Sequence, residues 1–538
     1  MASGCAGRVF LAQRAPYPRD EKTWRTIANG DFRTRVRRIG ISGCNCVCRR
    51  QRCTIDQSRA GDGSNAMDHL PEEVIAIGPP ASRGPGSSVE LVRRLSLGDS
   101  IAIVVGIMIG GGIFLVPNLV ARSLLSMPLI MSVWILAGVI SFFGALACAE
   151  LGAAFPSTGG QYVFLREAYG PAAAFLCGWS LFTVARSAQV AWMSVVFSIY
   201  ASYLVPFGPL VSKLLSLAVL SVFAWVNYRG VKLGAIVQNS FTLAKTVGVL
   251  IIVAAALLQA PHAEHYARPG ISSISLSSFG VALIACLLGY DGWVQLSFVA
   301  GEIRNPKRNM VRALTFGTLT VTAIYLLANF AYMHVLSVSE IAASEHVGAD
   351  AAARTLGAAG GTVVSLIILL SIVGTLNGCF MTIPRVYFAQ AADGLFFPSF
   401  ARMHPRFGTP GFAIWAQGAW SAVLLLTGSY ESLIDYALFG IWVFYGLMVV
   451  AVIVLRRTRP DLPRPYRMWG YPVTTLLFLA ITLWFLGNML VTRPRPAFAG
   501  LGLMLTGVPA YIVWQRYRPR PLHGCGTAQS GSMEARLP

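Results

Sequence analysis

The sequence is short of charge. Asp, Glu, Lys and Arg make up 12% of its 538 residues, about half of the roughly 25% that a soluble domain carries. A globule of this length could not wet its surface with so few, which excludes a string of soluble domains. Histidine is scarce too: His69, His262, His265, His334, His346, His404 and His523, none of them in the middle of an apolar stretch. A polytopic membrane enzyme needs polar catalytic clusters at the membrane face, and these histidines do not supply one. His262 and His265 with Glu264 could hold a metal only in a loop, where a solvated segment is the plainer reading. No secreted disulfide framework is visible either. Half of the ten cysteines, Cys5, Cys44, Cys46, Cys48 and Cys53, lie near the N-terminus, and the rest are scattered singly. Acidic residues number 23 against 43 Lys and Arg, a net charge of +20. That excess does not read as a nucleic-acid surface. Much of it sits in residues 1–66, including Arg33, Arg35, Arg37, Arg38, Arg49, Arg50 and Arg52, and the remainder in short loops between apolar runs.

What the sequence has in abundance is apolar run after apolar run, with 55% hydrophobic residues overall. About twelve stretches are long enough to cross a bilayer, near 99–121, 127–150, 171–200, 210–228, 235–259, 278–300, 311–336, 360–392, 411–428, 433–455, 473–491 and 498–515. The expected organisation is an all-α transmembrane transporter domain over 96–520. A disordered cytoplasmic extension over 1–95 precedes it, and a disordered cytoplasmic tail over 521–538 follows. The extension lacks a sustained apolar period and the apolar core of a signal peptide. Its Cys44, Cys46, Cys48 and Cys53 could hold a soft metal, but no second ligand pair completes a known spacing. Translation starting at Met67 is an alternative account of residues 1–66. With the N-terminus cytoplasmic, Lys and Arg favour the inside segments by about three to one, which sets both termini in the cytoplasm of a multi-pass plasma (inner) membrane protein.

Two of the runs are interrupted. The first contains Gly106-Ile107-Met108-Ile109-Gly110-Gly111-Gly112-Ile113-Phe114. Each glycine weakens a helix by about 1 kcal/mol relative to alanine. Unwound backbone inside a membrane is tolerated only where protein buries it or a wet cavity touches it. Its exposed amides form the positive end of a half-helix and suit a carboxylate. The sixth run contains Leu288-Gly289-Tyr290-Asp291-Gly292-Trp293, whose freed carbonyls would suit an ammonium group. The two breaks lie five spans apart, as corresponding elements of two inverted five-helix repeats would. Close helix packing also uses small residues, but matching positions in two halves favour a substrate site.

Charges within the spans are functional candidates by default. Lys245 lies mid-span in the fifth run. It is expected to reach carbonyls freed by the first break, or the hydroxyls of Ser371 and Thr375. There it would stand in for a bound Na⁺, carry a proton, or tether helices. Arg186 lies midway along the third run with Gln189 one turn on. Asp291 could carry a proton, select a cation, or cap a second half-helix of the sixth run; the cap is the plainest. Glu150 reads as an interfacial anchor at the end of the second run.

At these residues the chain resembles the amino acid–polyamine–organocation transporter superfamily, and within it the L-type amino acid transporter family. The likeness spans about Leu97 to Arg520. It rests on GIMIGGGIFLVP in the first run, Ala149-Glu150-Leu151 with Pro156-Ser157-Thr158-Gly159-Gly160-Gln161-Tyr162, and Arg186-Ser187-Ala188-Gln189. It continues through Lys245, Gly301-Glu302 with Asn305-Pro306, Asn377-Gly378 with Arg385 and Phe388, and Arg459-Pro460-Asp461-Leu462 with Arg464-Pro465. The resemblance implies a leucine-transporter-like fold of two inverted five-helix repeats, with broken helices 1 and 6 and alternating access. The substrate carboxylate would meet the amides of Gly111 and Gly112, and the α-amino group carbonyls at Met108, Leu288 and Asp291. The substrate-binding set is then Met108, Ile109, Gly110, Gly111, Gly112, Ile113, Leu288, Gly289, Tyr290, Asp291, Trp293 and Trp442, with Lys245, Arg186 and Asn377 as coupling or structural residues.

There are departures. Leu288 stands where the family places a gate aromatic, and Tyr290, Trp293 or Trp442 are the residues left to replace it. Gly111 stands where relatives often have serine. Animal members bond a heavy chain through a cysteine between spans 3 and 4, whereas Tyr203 to Ser212 contains none, so no disulfide-linked heavy chain is expected. The resulting expectation is Na⁺-independent amino acid transport, by exchange or proton coupling, with no cofactor, no resident metal and no nucleic acid. The partners are the substrate and the bilayer. A polyamine or amine carrier of the same superfamily is the alternative, with Asp291 as its attraction. A nutrient sensor would need a signalling domain that the segment after Arg520 is too short to hold.

Overall fold

A computed structural model describes residues 46–49, 52–55, 93–259, 276–344, 346–357, 359–428 and 430–517. The chain divides into two units, Met1–Ser87 and Ser88–Pro538. In the first, strands β1 (Cys46–Arg49) and β2 (Arg52–Ile55) form an antiparallel hairpin with Cys48 opposite Cys53. The side chains of that cysteine cluster, the His262–His265 loop and the tail after 517 lie outside the described residues.

Among the described residues the named elements of the second unit are all helices. Among the described residues nine helices are long and apolar enough to cross a membrane: Met127–Ala154, Pro171–Leu204, Pro209–Tyr228, Val231–Leu257, Pro306–Val335, Ala359–Ala392, Leu433–Thr458, Val473–Thr492 and Pro494–Arg516. The pair Leu97–Met108 and Gly112–Leu124 forms a tenth, bent by 41° at its break, and Ser277–Gly289 and Gly411–Thr427 are shorter apolar helices. In chain order these are spans 1 to 12, the number the apolar runs predict.

Span 1 starts where its sequence can close a capping box. The Ser96 hydroxyl accepts from the Asp99 amide at 3.2 Å, and the Asp99 carboxylate accepts from the Ser96 amide at 2.8 Å. Spans 8, 3 and 10 are the most enclosed, with 78%, 72% and 72% of their apolar windows buried, against 22% for span 12. The packing follows the expected repeat. Span 1 lies against span 6, 2 against 7, 3 against 8 and 4 against 9. Each partner is five spans on, the spacing between corresponding helices of two five-helix halves.

Two stretches depart from the sequence expectation. Span 6 does not continue to residue 300. Its helix, Leu276–Gly289, gives way to turns and a single helical turn at Gln295–Phe298. Gly292 explains the stop, because its φ of +124° is one that L side chains rarely adopt. A Cβ there would lie 2.7 Å from Ile107 Cγ2, so the turn presses directly on span 1. The segment 337–359, between the seventh and eighth apolar runs, is not bare connection but forms helices Val338–Ala343 and Val347–Leu356. Ser337 and Glu340 make a second capping box. The Ser337 backbone amide, with Arg354 nearby, holds the Glu340 carboxyl below its usual range. Span 1 reaches this cap through Arg122 Nε, which donates to Ala342 O at 2.7 Å, and Asn118 Nδ2, which donates to the same oxygen at 3.0 Å.

At the opposite end the chain closes on itself around Glu302. The amides of Arg94 and Leu95 donate to Glu302 O at 2.8 and 2.9 Å. Its carboxylate accepts from Arg385 Nε of span 8 at 2.9 Å, and both side chains are almost fully buried. Glu150, expected at an interface, is itself buried and accepts from Arg456 through both oxygens, at 2.8 and 2.6 Å. Removing one partner of a buried pair strands the other charge, at a cost of about 3–5 kcal/mol. Arg385→Ala is therefore expected to lower the melting temperature of the detergent-solubilised protein sharply, and Glu302→Gln/Arg385→Gln to recover most of that loss. A single variant that melts with the wild type would show the pair to be dispensable.

Candidate functional site

In span 1 the helical ladder stops at Met108, and the Gly110 amide turns back to Met108 O at 2.8 Å. This leaves the carbonyls of Gly106 and Ile109 without their helical donors. Lys245 of span 5 supplies one. Its fully buried ammonium donates to Gly106 O and, at 2.5 Å, to Ile109 O. Span 8 adds two more. The Ser371 hydroxyl donates to Ile109 O at 2.8 Å and the Thr375 hydroxyl to Gly106 O at 3.2 Å. The carbonyls and the hydroxyls expected as alternative targets of Lys245 thus form one cluster with it. A buried Asn377 lies further along span 8, where it donates to Gly234 O and Gln238 Oε1, both at 2.9 Å.

The second half of span 1 begins at Gly112. The first amides of any helix lack an intrahelical acceptor, so this end offers N–H groups and the positive end of the helix dipole. It lies against the other break. A Cβ on Gly112 would fall 2.8 Å from Gly289 Cα, a distance that real side chains do not show. Tyr325 of span 7 straddles the junction, its hydroxyl 2.6 Å from Met108 O and 2.9 Å from Gly289 O. Nothing in the sequence sets Tyr325 apart, because a tyrosine in an apolar helix has no local signature of the carbonyls it will meet.

A small cavity of about 30 Å³, room for a water molecule or two, lies at this junction. Met108, Gly110, Gly112, Leu288, Gly289 and Asp291 line it, six of the residues proposed from sequence. Ile109, Gly111 and Ile113 belong to the same break but are not among the lining residues. Tyr290 packs on Trp134 and Tyr325, at ring separations of 5.8 and 4.9 Å. Trp293 stacks near Tyr445 at 4.7 Å, and Trp442 stacks on Phe485 at 4.4 Å. None of these three aromatics lines the cavity. Its aromatic is instead Trp192, beside Gln189 and Met193 on one face of span 3. Span 10 contributes Ile434, Ala437, Leu438 and Ile441. That i, i+3, i+4, i+7 stripe is legible as one helical face, but in a span apolar all round nothing marks it as the inner one.

Asp291 does not cap a half-helix. One carboxylate oxygen accepts from Arg186 Nη1 at 2.9 Å and from Gln189 Nε2 at 3.1 Å, and the other accepts from the Tyr445 hydroxyl at 2.5 Å. Arg186 also donates to Gln189 Oε1 at 2.8 Å and to the Tyr445 hydroxyl at 3.1 Å. Spans 3, 6 and 10 meet in this network.

Comparison with known proteins agrees with this architecture. Residues 95–508 match the family model described as amino acid permease. The chain belongs to the amino acid permease family. It is 32% identical to the serine/threonine exchanger SteT of Bacillus subtilis (strain 168), over 78% of this chain and 96% of that protein. It is equally similar to the b(0,+)-type amino acid transporter 1 of Homo sapiens, over 80% of this chain and 90% of the relative. The large neutral amino acids transporter small subunit 2 of Oryctolagus cuniculus is 32% identical over 88% of each. The break, the cavity and the paired packing all fall inside the stretch of the permease that matches.

Two glycines can be told apart by experiment. Gly112→Val is expected to abolish substrate binding while the protein still inserts, because its side chain would force the two breaks apart. A Cβ on Gly111 would make only ordinary contacts, at 3.6 Å to Leu115 and 3.7 Å to Val196, so Gly111→Ser should keep uptake within a few fold of wild type. Wild-type affinity in Gly112→Val would remove the site assignment.

Proposed function

We propose that this permease carries α-amino acids by alternating access without Na⁺, as an exchanger or a proton-coupled permease. Membership of the amino acid permease family makes it an amino acid transporter. What is proposed is how it holds and couples its cargo. The observation that carries the reading is the contact between the two breaks at Gly112 and Gly289, with a cavity beside them. An α-amino acid has a carboxylate for the span 1 amides and an ammonium for the carbonyls of Met108, Leu288 and Asp291. Independence from Na⁺ is supported by Lys245, whose ammonium already fills the carbonyl cluster that an ion would need. The amine-carrier alternative loses support, because both carboxylate oxygens of Asp291 are engaged by neighbouring side chains.

The rabbit relative is by name a small subunit. For this chain we propose no disulfide-linked partner, since residues 203–212 contain no cysteine. Both termini are proposed to be cytoplasmic, on the loop charges. Residues 1–95 are proposed as an extension and 521–538 as a tail to the transporter domain.

The test is uptake into proteoliposomes across a panel of amino acids and amines. Amino acid uptake is expected to be equal in Na⁺ and choline buffers. Preloaded substrate that accelerates it indicates exchange, and a pH gradient that drives it indicates proton coupling. Strict dependence on Na⁺, or uptake of putrescine in preference to every amino acid, would refute the proposal. Lys245→Ala strands buried carbonyls at about 1–3 kcal/mol each, and is expected to slow uptake roughly tenfold or more. Unchanged uptake at every pH would deny Lys245 a coupling role.

A further inference from the structure

The cavity carries one ionisable side chain among its described lining residues, Asp291, and that side chain is not open to a ligand. Arg186, Gln189 and Tyr445 occupy both of its oxygens, and the Arg186 side chain is itself fully buried. Asp291 is therefore a lining residue whose counter-charge, Arg186, sits directly behind it and outside the lining, and the other walls supplied by Trp192, Met193, Ile434, Leu438 and Ile441 are apolar. A second, independent feature places Arg186 there. Residues Leu181–Ala185 form a π-helical turn immediately before it, and the Arg186 amide donates to Leu181 O, five residues back. Such a turn inserts an extra residue into span 3 and re-aims the side chains that follow, a device common at functional sites.

We propose that Arg186 is the charge-selecting residue of this permease. By holding the Asp291 carboxylate it keeps the cavity electrically neutral, so substrates with uncharged side chains enter and those with cationic side chains are refused. A lysine side chain entering beside Asp291 would meet a carboxylate already paired and a guanidinium of its own sign, with little water to screen them. Without Arg186, the same carboxylate would become an unpaired anion at the cavity wall and would favour a cation. Arg186 reaches the substrate only through Asp291, so its role is positioning and compensation rather than contact. The inference rests on the amino acid transport reading given above.

The experiment measures leucine, lysine and glutamate uptake by the full chain in proteoliposomes, with size-exclusion profiles to establish folding. Wild type is expected to take up lysine at least roughly tenfold more slowly than leucine. Arg186→Gln should raise the lysine-to-leucine ratio by a similar factor, and Arg186→Gln/Asp291→Asn should return that ratio toward wild type whatever its absolute rate. A merely structural pair would slow every substrate alike and leave the ratio unmoved, which would overturn the proposal. So would wild type that takes lysine as readily as leucine. Should Arg186→Gln fail to fold, Asp291→Asn decides: its unpaired guanidinium is expected to raise the glutamate-to-leucine ratio, and an unmoved ratio overturns the proposal. Wild type that takes up no amino acid at all would fail the transport reading itself and the inference with it.

Discussion

Carbonyl groups without donors, inside an apolar wall, are the constraint on which the rest of this structure depends. Breaking span 1 exposes amides that can hold an anion, but the same break frees Gly106 O and Ile109 O. Left alone, each would cost about 1–3 kcal/mol. One ammonium, from Lys245, has three donors and serves both at once, which a hydroxyl with its single proton could not do. Ser371 and Thr375 then complete the shell from span 8. Spans 1, 5 and 8 are thereby joined through a break rather than through a helix face. Movement of any one of them must carry the others or rupture charge-assisted hydrogen bonds.

The second break is secured differently. Span 6 has no lysine beneath it, and uses contact instead. Gly289 lies so close to Gly112 that a Cβ on Gly112 has no room, whereas one on Gly289 would meet Trp134 at an ordinary 3.6 Å, and Gly292 turns the chain onto Ile107. The Tyr325 hydroxyl has a single proton and two carbonyls within reach, one from each break. It can donate to only one at a time, and because the Gly110 amide already donates to Met108 O, the proton is free to serve Gly289 O. The two breaks are thus tied through one hydroxyl of span 7.

Much of this was legible before any coordinates. Apolar run length set the number of spans, and triple glycine marked the first break, because in each case a local property decides. The contact of Lys245 with the first break is legible because a mid-span ammonium has few alternatives to freed carbonyls. What is not legible shares a cause. Tyr290, Trp293 and Trp442 are the aromatics left to replace a gate at Leu288, yet here they pack against neighbouring helices. Which face of a wholly apolar helix looks inward depends on partners far along the chain, and Trp192 and the Ile434–Ile441 stripe were hidden for that reason. Asp291 as a cap failed because the reading presumed a second half-helix, which Gly292 prevents.

The buried pairs raise a question of selection as well as of strength. Desolvating Arg186 and Asp291 costs several kcal/mol for each ion, and replacing such a pair with apolar residues is often neutral or stabilising. Pairing for stability alone is therefore a weak account of it. Glu302 and Arg385 join a turn to span 8 at the end of the bundle, away from the cavity lining, and there a structural role suffices. Arg186 and Asp291 differ in position. Asp291 is a lining residue of the cavity, and their network draws on spans 3, 6 and 10. A charge placed where a ligand must pass acts on every candidate ligand, and its compensation fixes which charge that ligand may bring. The cost of burial at this wall is then offset by discrimination, which an apolar replacement of equal stability could not provide.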